Sequence, residues 1–310
     1  MKIIITGALG HIGSYLVENI SKIKKLKHVY LIDNFLTNKY HVLFNIKKKK
    51  PSLSFFSIDL TKTNSLKKFK NIDVIVHLAS ITDAENSFKI KDEIYKNNLG
   101  CFKNVVNYCI TNSTKLIHIS STSVYGAQKS IVDENSKFLK PQSPYAQVKF
   151  MEENILKKKS NFLNYNSYRF ATIAGVSSGM RFHTAVNKFC LNAFLGKPIP
   201  VWRTALNQFR PYLSLGDAFK LIQFTLENDF YKNDIYNVLS DNYTVKSIIN
   251  MIKRYKKNLR IKFVDSQIMN QQSYRVSKKK IMSEKINLNT KIEKDIKYTM
   301  KLFRNFKNEV

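Results

Sequence analysis

Three Tyr-x-x-x-Lys pairs have a spacing that suits acid and base chemistry. On a helix, this spacing places a phenol and an ammonium group one turn apart on the same face. The chain has 16 Tyr and is rich in Lys, so about two such pairs are expected by chance. Tyr145 stands out because Ser143 and Pro144 before it are a typical N-cap and first residue of a helix. The three pairs are Tyr125/Lys129, Tyr145/Lys149 and Tyr274/Lys278.

The Tyr145 and Lys149 pair predicts proton exchange with a hydroxyl group. A phenol titrates at about pH 10, so it is a poor base at neutral pH unless its anion is stabilised. A lysine one helical turn away favours that anion. We therefore expect Tyr145 to exchange the proton and Lys149 to support the charge.

A glycine-rich segment near the N-terminus suits the binding of phosphate groups. It reads Thr6-Gly7-Ala8-Leu9-Gly10-His11-Ile12-Gly13 and follows an apolar strand. Its glycines allow a tight turn and a close approach to a pyrophosphate at a helix N-terminus. Asp33 ends the next strand, where a carboxylate binds ribose hydroxyls and repels a 2′-phosphate. Asn34 beside it adds no positive charge, so the pattern favours NAD over NADP.

The elements that must position these residues alternate between strand and helix. The predicted helices span Ile12–Lys22, Leu66–Phe69, Glu93–Thr111 and Pro144–Lys158. This alternation predicts an α/β fold, a Rossmann-type doubly wound parallel sheet. The predicted strands are Lys2–Thr6, Val29–Asp33, Leu53–Ile58, Val74–His77, Leu116–Ser121 and Leu163–Phe170.

The composition excludes several classes of protein. A chain of 310 residues with 44% hydrophobic content can bury a large core, so neither disorder nor a disulfide scaffold is expected. The net charge of +30 comes from 44 Lys and only 8 Arg. Phosphate recognition favours Arg, so nucleic acid is not the favoured partner.

The sequence predicts a cytoplasmic protein. It has three Cys without a CxxC pair, and it has no apolar run long enough for a membrane span or signal peptide. No metal site is indicated.

Longer motifs resemble the extended short-chain dehydrogenase/reductase family, the NAD-dependent epimerase/dehydratases. The Gly-x-x-Gly-x-x-Gly spacing is similar to that of this family, as are Ser57-Ile58-Asp59-Leu60, His77-Leu78-Ala79-Ser80 and Asn98-Leu99-Gly100. The resemblance implies NAD as the cofactor. The residues it assigns to cofactor binding are Gly7, Gly10, His11, Ile12, Gly13, Asp33, Asn34, Asp59, Leu60, Leu78, Ala79, Ser80, Asn98, Tyr145 and Lys149.

The resemblance also covers the catalytic residues. Ser120–Gly126 is similar to the Ser-Ser-x-x-Val-Tyr-Gly of the family, in which the residue four before the tyrosine is the catalytic Ser or Thr. That residue is Ser121 here. The segment Pro141–Lys149 resembles Pro-x-Ser-Pro-Tyr-x-x-x-Lys. The implied catalytic set is Ser121, Tyr145 and Lys149.

The two residues after Ser121 bear on the reaction. Sugar 4,6-dehydratases of this family carry an acidic residue there, whereas this chain has Thr122-Ser123. We therefore expect 4-epimerisation of a UDP-hexose-like nucleotide-sugar through a 4-keto intermediate. A reductase, a decarboxylase or a dehydratase of the same family remains an alternative. An alternative of another class is a non-catalytic RNA- or partner-binding protein, because residues 251–310 carry 17 Lys/Arg against 5 Asp/Glu.

The second half matches the family less closely. Tyr168–Gly175 resembles Leu-Arg-x-x-Asn-Val-x-Gly, with Thr172 in place of the substrate-contacting Asn, and Arg210 occupies the position of a diphosphate-binding Arg. A second such Arg has no match in Ser266–Tyr274, so Arg275 is its candidate substitute. The residues predicted to bind substrate are Ser121, Thr122, Thr172, Arg181, His183, Asn187, Arg210 and Arg275.

These patterns predict two lobes. Residues 1–171 form the NAD-binding Rossmann domain, to which 206–234 return. Residues 172–205 and 235–310 form a smaller C-terminal α/β substrate lobe. Helices Glu93–Thr111 and Pro144–Lys158 are expected to form a homodimer interface, as the resemblance implies.

Overall fold

The computed structural model describes residues 1–46, 50–82, 86–264 and 273–304. The strands are β1 Lys2–Thr6, β2 His28–Asp33, β3 Ser52–Ser57, β4 Val74–His77, β5 Lys115–Ser121, β6 Ile131–Val132, β7 Tyr165–Phe170, β8 Thr172–Ala174, β9 Ile199–Trp202, β10 Phe209–Ser214, β11 Asp234–Val238, β12 Asp241–Thr244, β13 Ile261–Val264 and β14 Arg275–Val276. The α-helices are α1 His11–Glu18, α2 Lys91–Ile94, α3 Gly100–Thr111, α4 Pro144–Lys158, α5 Ala185–Phe194, α6 Leu215–Glu227, α7 Val245–Lys253, α8 Lys279–Ser283 and α9 Ile292–Arg304.

The large sheet contains seven parallel strands in the order β11-β7-β5-β4-β1-β2-β3. Ile3, Ile4 and Ile5 of β1 are fully buried because β1 lies between β2 and β4 and both faces are covered. The chain progresses outward from β1 in one direction and from β4 in the other. The carboxyl ends of β1 and β4 therefore mark the switch point at which such sheets bind ligands.

The predicted doubly wound parallel sheet is confirmed. All six predicted strands are present, with bounds within two residues of those observed. The helix predicted over Ile12–Lys22 is α1, followed by a 3-10 turn at Ile20–Lys22, and a π turn at Tyr95–Leu99 lies within the predicted Glu93–Thr111. The prediction of a helix at Leu66–Phe69 is wrong, because the left-handed Asn64 starts a series of turns there.

A second hydrophobic core is formed by buried residues between Ala174 and Met300. Strands β8, β10 and β12 form one sheet, and β9 pairs with β13. Helices α5, α7 and α9 pack together around Ile248, Ile249 and Ile296. The predicted lobe boundary at 235 falls inside β11, which pairs with β7 in the large sheet. Residues 234–238 therefore lie with that sheet because they complete its edge, and the division into lobes otherwise stays a prediction.

No helix among the residues that the structure describes is long and apolar enough to cross a membrane.

Candidate active site

Tyr145 and Lys149 lie in the first two turns of α4. The helix begins after Ser143, whose hydroxyl accepts a hydrogen bond from the Ala146 backbone N–H at 3.2 Å, with Pro144 as its first residue. The Lys149 ammonium nitrogen lies 6.0 Å from the centre of the Tyr145 ring. The helix start predicted from the sequence is confirmed, and it places both residues in the wall of one cavity.

Ser121 is the last residue of β5 and faces the same cavity. Its hydroxyl oxygen accepts hydrogen bonds from the Ser123 backbone N–H at 3.2 Å and from the Ser123 hydroxyl at 2.8 Å. Because the oxygen accepts these two bonds, the Ser121 O–H can donate toward a ligand. Sequence reasoning did not identify this orienting role of Ser123.

Lys149 belongs to a buried polar chain behind the cavity. Its ammonium donates to Glu152 at 2.8 Å, and the same carboxylate oxygen lies 2.9 Å from His118 Nε2. Burial opposes the charge on Lys149, but Glu152, with smaller contributions from Tyr145 and Glu153, outweighs that effect, so the pKa of Lys149 is raised. Burial also raises the pKa of Glu152, yet Lys149 and His118 bring it down to about 2. Both members of the pair are therefore charged at neutral pH.

The other two Tyr-x-x-x-Lys pairs have different roles. The Tyr125 hydroxyl is buried between Asn237 and Arg169, at 2.8 Å from each, and burial raises its pKa to about 12. Tyr274 precedes β14 rather than lying on a helix, so it does not share a helical face with Lys278. Its hydroxyl is 3.3 Å from that of Thr122. Neither pair has the geometry of the Tyr145 pair.

A cavity of about 460 Å³ opens at the carboxyl ends of β1, β2 and β4. We name it the cofactor cavity, because residues predicted to bind NAD line it. Gly7 has a positive φ of 65°, and a Cβ there would lie 2.7 Å from the Ala79 backbone nitrogen. Only glycine therefore lets this loop pass so close to β4.

Asp33 accepts hydrogen bonds from the Leu9 and Phe35 backbone N–H groups. Burial raises the pKa of Asp33, while these two donors oppose the rise. A glycine loop beside a carboxylate fits the phosphates and ribose of a dinucleotide.

The predicted cofactor residues divide into two groups. Those that line this cavity are Gly7, Gly10, Asp33, Asn34, Leu60, Leu78, Ala79 and Ser80, while Ile12 lines the neighbouring cavity with Tyr145 and Lys149. Four others support the walls from behind. His11 Nε2 bonds the Gly175 carbonyl at 2.9 Å, and a Cβ on Gly13 would clash with the Gly7 carbonyl at 2.3 Å. Asn98 bonds the backbone of Ile81, and Asp59 bonds Thr61.

The catalytic candidates line a second cavity of about 370 Å³. We name it the substrate cavity, because residues predicted to bind substrate line it. The residues it shares with the cofactor cavity are Leu78, Ser80, Thr82, Arg181 and His183. Arg210 projects from β10 with its guanidinium 5.9 Å from the Trp202 ring. The predicted substrate residues in its wall are Ser121, Thr122, Thr172, Arg181, His183 and Arg210. Within the described part of the wall there is no Asp or Glu.

Two predicted substrate residues do not line either cavity in the described structure. Asn187 is fully buried, and its amide donates to the Arg181 carbonyl at 2.9 Å. It therefore holds the segment that carries Arg181 and does not face a ligand. Arg275 is exposed, and its guanidinium lies 5.2 Å from the Phe209 ring. Most of the Ser266–Tyr274 segment lies outside the described residues.

Sequence reasoning missed two cations in the cavity walls. Lys188 lines the substrate cavity one turn into α5, on the same face as Ala185 and Phe189. That i, i+3, i+4 spacing was the available signal. Lys39 lines the cofactor cavity, where burial, with Arg181 adding to the effect, lowers its pKa to about 8. It lies in a loop with no periodic pattern to reveal it.

No cluster of His, Cys, Asp or Glu suitable for a metal ion occurs among the described residues. The three cysteines, Cys101, Cys109 and Cys190, are all buried and free.

The family model for the NAD dependent epimerase/dehydratase family matches residues 3–238. The chain belongs to this family, whose cofactor is NAD. It is 29% identical over 248 residues to the uncharacterized UDP-glucose epimerase YtcB of Bacillus subtilis (strain 168), covering 77% of this chain and 76% of the relative.

Two solved structures share the fold over nearly the whole chain. One is the UDP-glucuronic acid 4-epimerase from Bacillus cereus in complex with UDP-glucuronic acid and NAD, with a TM-score of 0.89 and 23% identity, covering 99% of this chain and 100% of that one. The other is DesIV, a dTDP-glucose 4,6-dehydratase from Streptomyces venezuelae with NAD and TYD bound, with a TM-score of 0.87, 19% identity and coverages of 99% and 98%. At these identities the likeness shows the fold alone.

Proposed function

We propose that the protein is an NAD-dependent nucleotide-sugar epimerase that inverts C4 of a UDP-hexose-like substrate through a 4-keto intermediate. One observation carries the proposal. The substrate cavity brings Ser121, Tyr145 and Lys149 together with Arg210, while no carboxylate lies in its described wall. This arrangement supports removal and return of a hydroxyl proton without the acid that water elimination requires.

Two residues of this chain act on the same substrate oxygen, that of the C4 hydroxyl. Tyr145, with the positive Lys149 one turn away, takes the proton of the C4 hydroxyl. The Ser121 O–H donates to the same oxygen as it becomes a carbonyl, because its own oxygen already accepts from Ser123. NAD, when bound, supplies a hydride acceptor and donor for C4. After the sugar presents its other face, Tyr145 returns the proton.

Thr122 and Ser123 disfavour the dehydratase reaction. The Thr122 hydroxyl pairs with that of Tyr274 at 3.3 Å, and the Ser123 hydroxyl donates to Ser121 at 2.8 Å. Neither side chain is a carboxylic acid that exchanges protons near neutral pH. Epimerisation needs only proton and hydride transfer at one carbon, which the described side chains support.

Cations in the cavity wall support a substrate that carries a diphosphate. Arg210 on β10 and Lys188 on α5 both line it. A guanidinium binds phosphate oxygens in bidentate geometry, and an ammonium adds a second charge. We propose that Arg210 and Lys188 bind the diphosphate, with Lys188 in the role that the sequence suggested for Arg275.

The experiment that tests the proposal offers the purified protein UDP-, dTDP-, GDP- and CDP-sugars in turn and identifies the products by NMR. Inversion at C4 without net reduction of NAD is the expected result. Loss of water, loss of CO₂ or net NAD reduction would assign another reaction of the family. RNA titrated at two salt concentrations tests the alternative class, because phosphate contacts give a steep salt dependence.

We propose further that the protein is a homodimer through α3 and α4. Met151 on α4 is 41% exposed, which leaves apolar surface on that helix for a partner. Light scattering at micromolar concentration should give twice the chain mass. A monomeric mass would rule this interface out at that concentration.

A further inference from the structure

Lys149 and Glu152 form an ion pair with almost no exposure to water. Lys149 is 3% exposed and Glu152 is 1% exposed, and their polar atoms are 2.8 Å apart. They lie three residues apart on α4, on the side that faces β5. A buried ammonium without a counter-charge is strongly disfavoured. The charged form of Lys149 in this position therefore depends on Glu152.

His118 on β5 orients the Glu152 carboxylate. A carboxylate only accepts hydrogen bonds, so His118 Nε2, at 2.9 Å, carries a proton and donates it to Glu152. His118 Nδ1 then accepts from the Ser167 hydroxyl at 2.8 Å. Burial lowers the pKa of His118, which keeps the imidazole neutral. The histidine thus holds the carboxylate oxygen in place without adding a charge.

The other groups around the pair are neutral or already paired. Glu153, next on α4, accepts two hydrogen bonds from Arg169 on β7 at 2.8 and 2.7 Å. Burial lowers the pKa of His77 on β4 to about 3 and raises that of Cys101 on α3 to about 12, so both are uncharged at neutral pH. Glu152 is therefore the carboxylate in direct contact with Lys149, while Glu153 adds a weaker electrostatic effect. Tyr145 lies on the cavity side of Lys149.

We propose that Glu152 is a positioning residue that keeps Lys149 charged at the active site and, by pairing with it, weakens the field that Lys149 exerts on the Tyr145 hydroxyl. The inference about Lys149 rests on the geometry of the pair. Only its effect on turnover rests on the proposed function. The pairing has two opposite consequences for catalysis, because it preserves the cation and also partly screens it.

Glu152→Gln separates these consequences. The amide keeps the shape and an acceptor for Lys149 but removes the counter-charge. Lys149 should then lose its proton at lower pH, while each remaining Lys149 cation acts on Tyr145 without screening. Both limbs of the pH profile of kcat/KM should move to lower pH, whereas a merely structural role would lower activity without moving the limbs.

The direct test is an NMR titration of the NAD-loaded protein labelled with 13Cε-lysine, with the Lys149 resonance assigned from Lys149→Met. In the wild type the midpoint of this titration should lie above pH 10.5. In Glu152→Gln it should titrate at least about one unit lower, a tenfold change in the ionisation constant. An unchanged Lys149 titration in a folded Glu152→Gln protein would overturn the proposal.

Two further variants serve as a control and as an alternative test. Glu153→Gln removes the adjacent buried carboxylate, which pairs with Arg169 instead, and should lower the Lys149 titration by less than Glu152→Gln does. If Glu152→Gln does not fold, Glu152→Asp provides the test, because it keeps the charge and should keep Lys149 charged at pH 10.5. Titration of Lys149 below that pH in Glu152→Asp would contradict the proposal. If the protein lacks epimerase activity, the NMR result still decides the role of Glu152.

Discussion

The cofactor cavity and the substrate cavity lie side by side but are built differently. The first is lined mainly by loops between residues 7 and 101, joined by Met180, Arg181 and His183. The second gathers residues from position 12 to position 274, including ends of strands and faces of helices from both cores. The first depends largely on backbone groups in a glycine loop, and the second depends on side chains.

This difference explains why one cavity follows family motifs more closely than the other. A backbone that must approach a pyrophosphate constrains residue type at fixed positions, since at Gly7 even a Cβ would collide with Ala79. A side-chain cation can be supplied from several elements. Lys188 on α5 lines the substrate cavity, whereas Arg275 points elsewhere.

The largest expected effect separates chemistry from cofactor binding. Tyr145→Phe removes the proton-exchanging hydroxyl and should lower kcat for epimerisation by about 10³-fold. The affinity for NAD should change less than about threefold, because the glycine loop is untouched. NMR product assays and calorimetric NAD titration measure the two quantities. Unchanged turnover would show that the proposed mechanism is wrong.

The next effect should fall on the cofactor cavity alone. Gly7→Ala places a Cβ 2.7 Å from the Ala79 backbone at a φ of 65°, so the loop must move. The dissociation constant for NAD should rise about 100-fold. Gly196→Ala is the matched control, with the same φ but open space around it. The control should lose about 1 kcal/mol of stability and keep its NAD affinity. Equal NAD affinity in both variants would refute the role of this loop.

A smaller effect is expected in the substrate cavity. Arg210→Ala removes a charge-assisted phosphate contact and should raise the KM for the nucleotide-sugar about 10- to 100-fold with little change in kcat. Arg275→Ala, in an arginine outside the described cavity wall, should change KM less than about twofold. Steady-state kinetics on the best substrate distinguish them. A larger effect from Arg275 would restore the assignment made from the sequence.

The smallest effect concerns the packing of α9 against β8 and β10. A partly buried carboxyl group, Asp295 on α9, lies beside Gly175 and Leu215. Burial raises its pKa to about 7, with Asp217 adding to the rise. The unfolded chain releases this proton at lower pH than the folded chain, so the group reduces stability as pH rises toward 7. When the pH rises from 5 to 8, the free energy of unfolding should fall in both proteins. The fall should be smaller by about 1–2 kcal/mol in Asp295→Asn than in the wild type.

Urea unfolding at the two pH values measures this difference. Asp241→Asn, at an exposed position in the same lobe, is the control and should follow the wild type. Parallel behaviour of Asp295→Asn and the wild type would show that this carboxyl does not reduce the stability of the protein at neutral pH.

The sequence predicted the large sheet and the start of α4 well because their signals are local. Ser143-Pro144 caps the helix that carries Tyr145, and a short β-branched run such as Ile3–Ile5, followed by a glycine-rich segment, indicates a buried strand. It did not predict where the side chains of Asn187 and Arg275 lie. Both are polar residues near family motifs, yet Asn187 faces the backbone of Arg181 and Arg275 packs against Phe209. Side-chain direction at these positions depends on packing between distant segments.

By itself, the sequence determined the parallel sheet, the glycine loop and the order in which Ser121, Tyr145 and Lys149 follow their strand and helix. The individual strands, the glycine loop and the helix start depend on propensity and spacing within short segments, and the alternation of strand and helix then favours parallel pairing. Only the tertiary structure decided that Glu152 and His118 stand behind Lys149 and that Lys188 joins Arg210 in one wall. A buried charge takes its partner from whichever elements pack beside it, and that packing is a property of the whole fold.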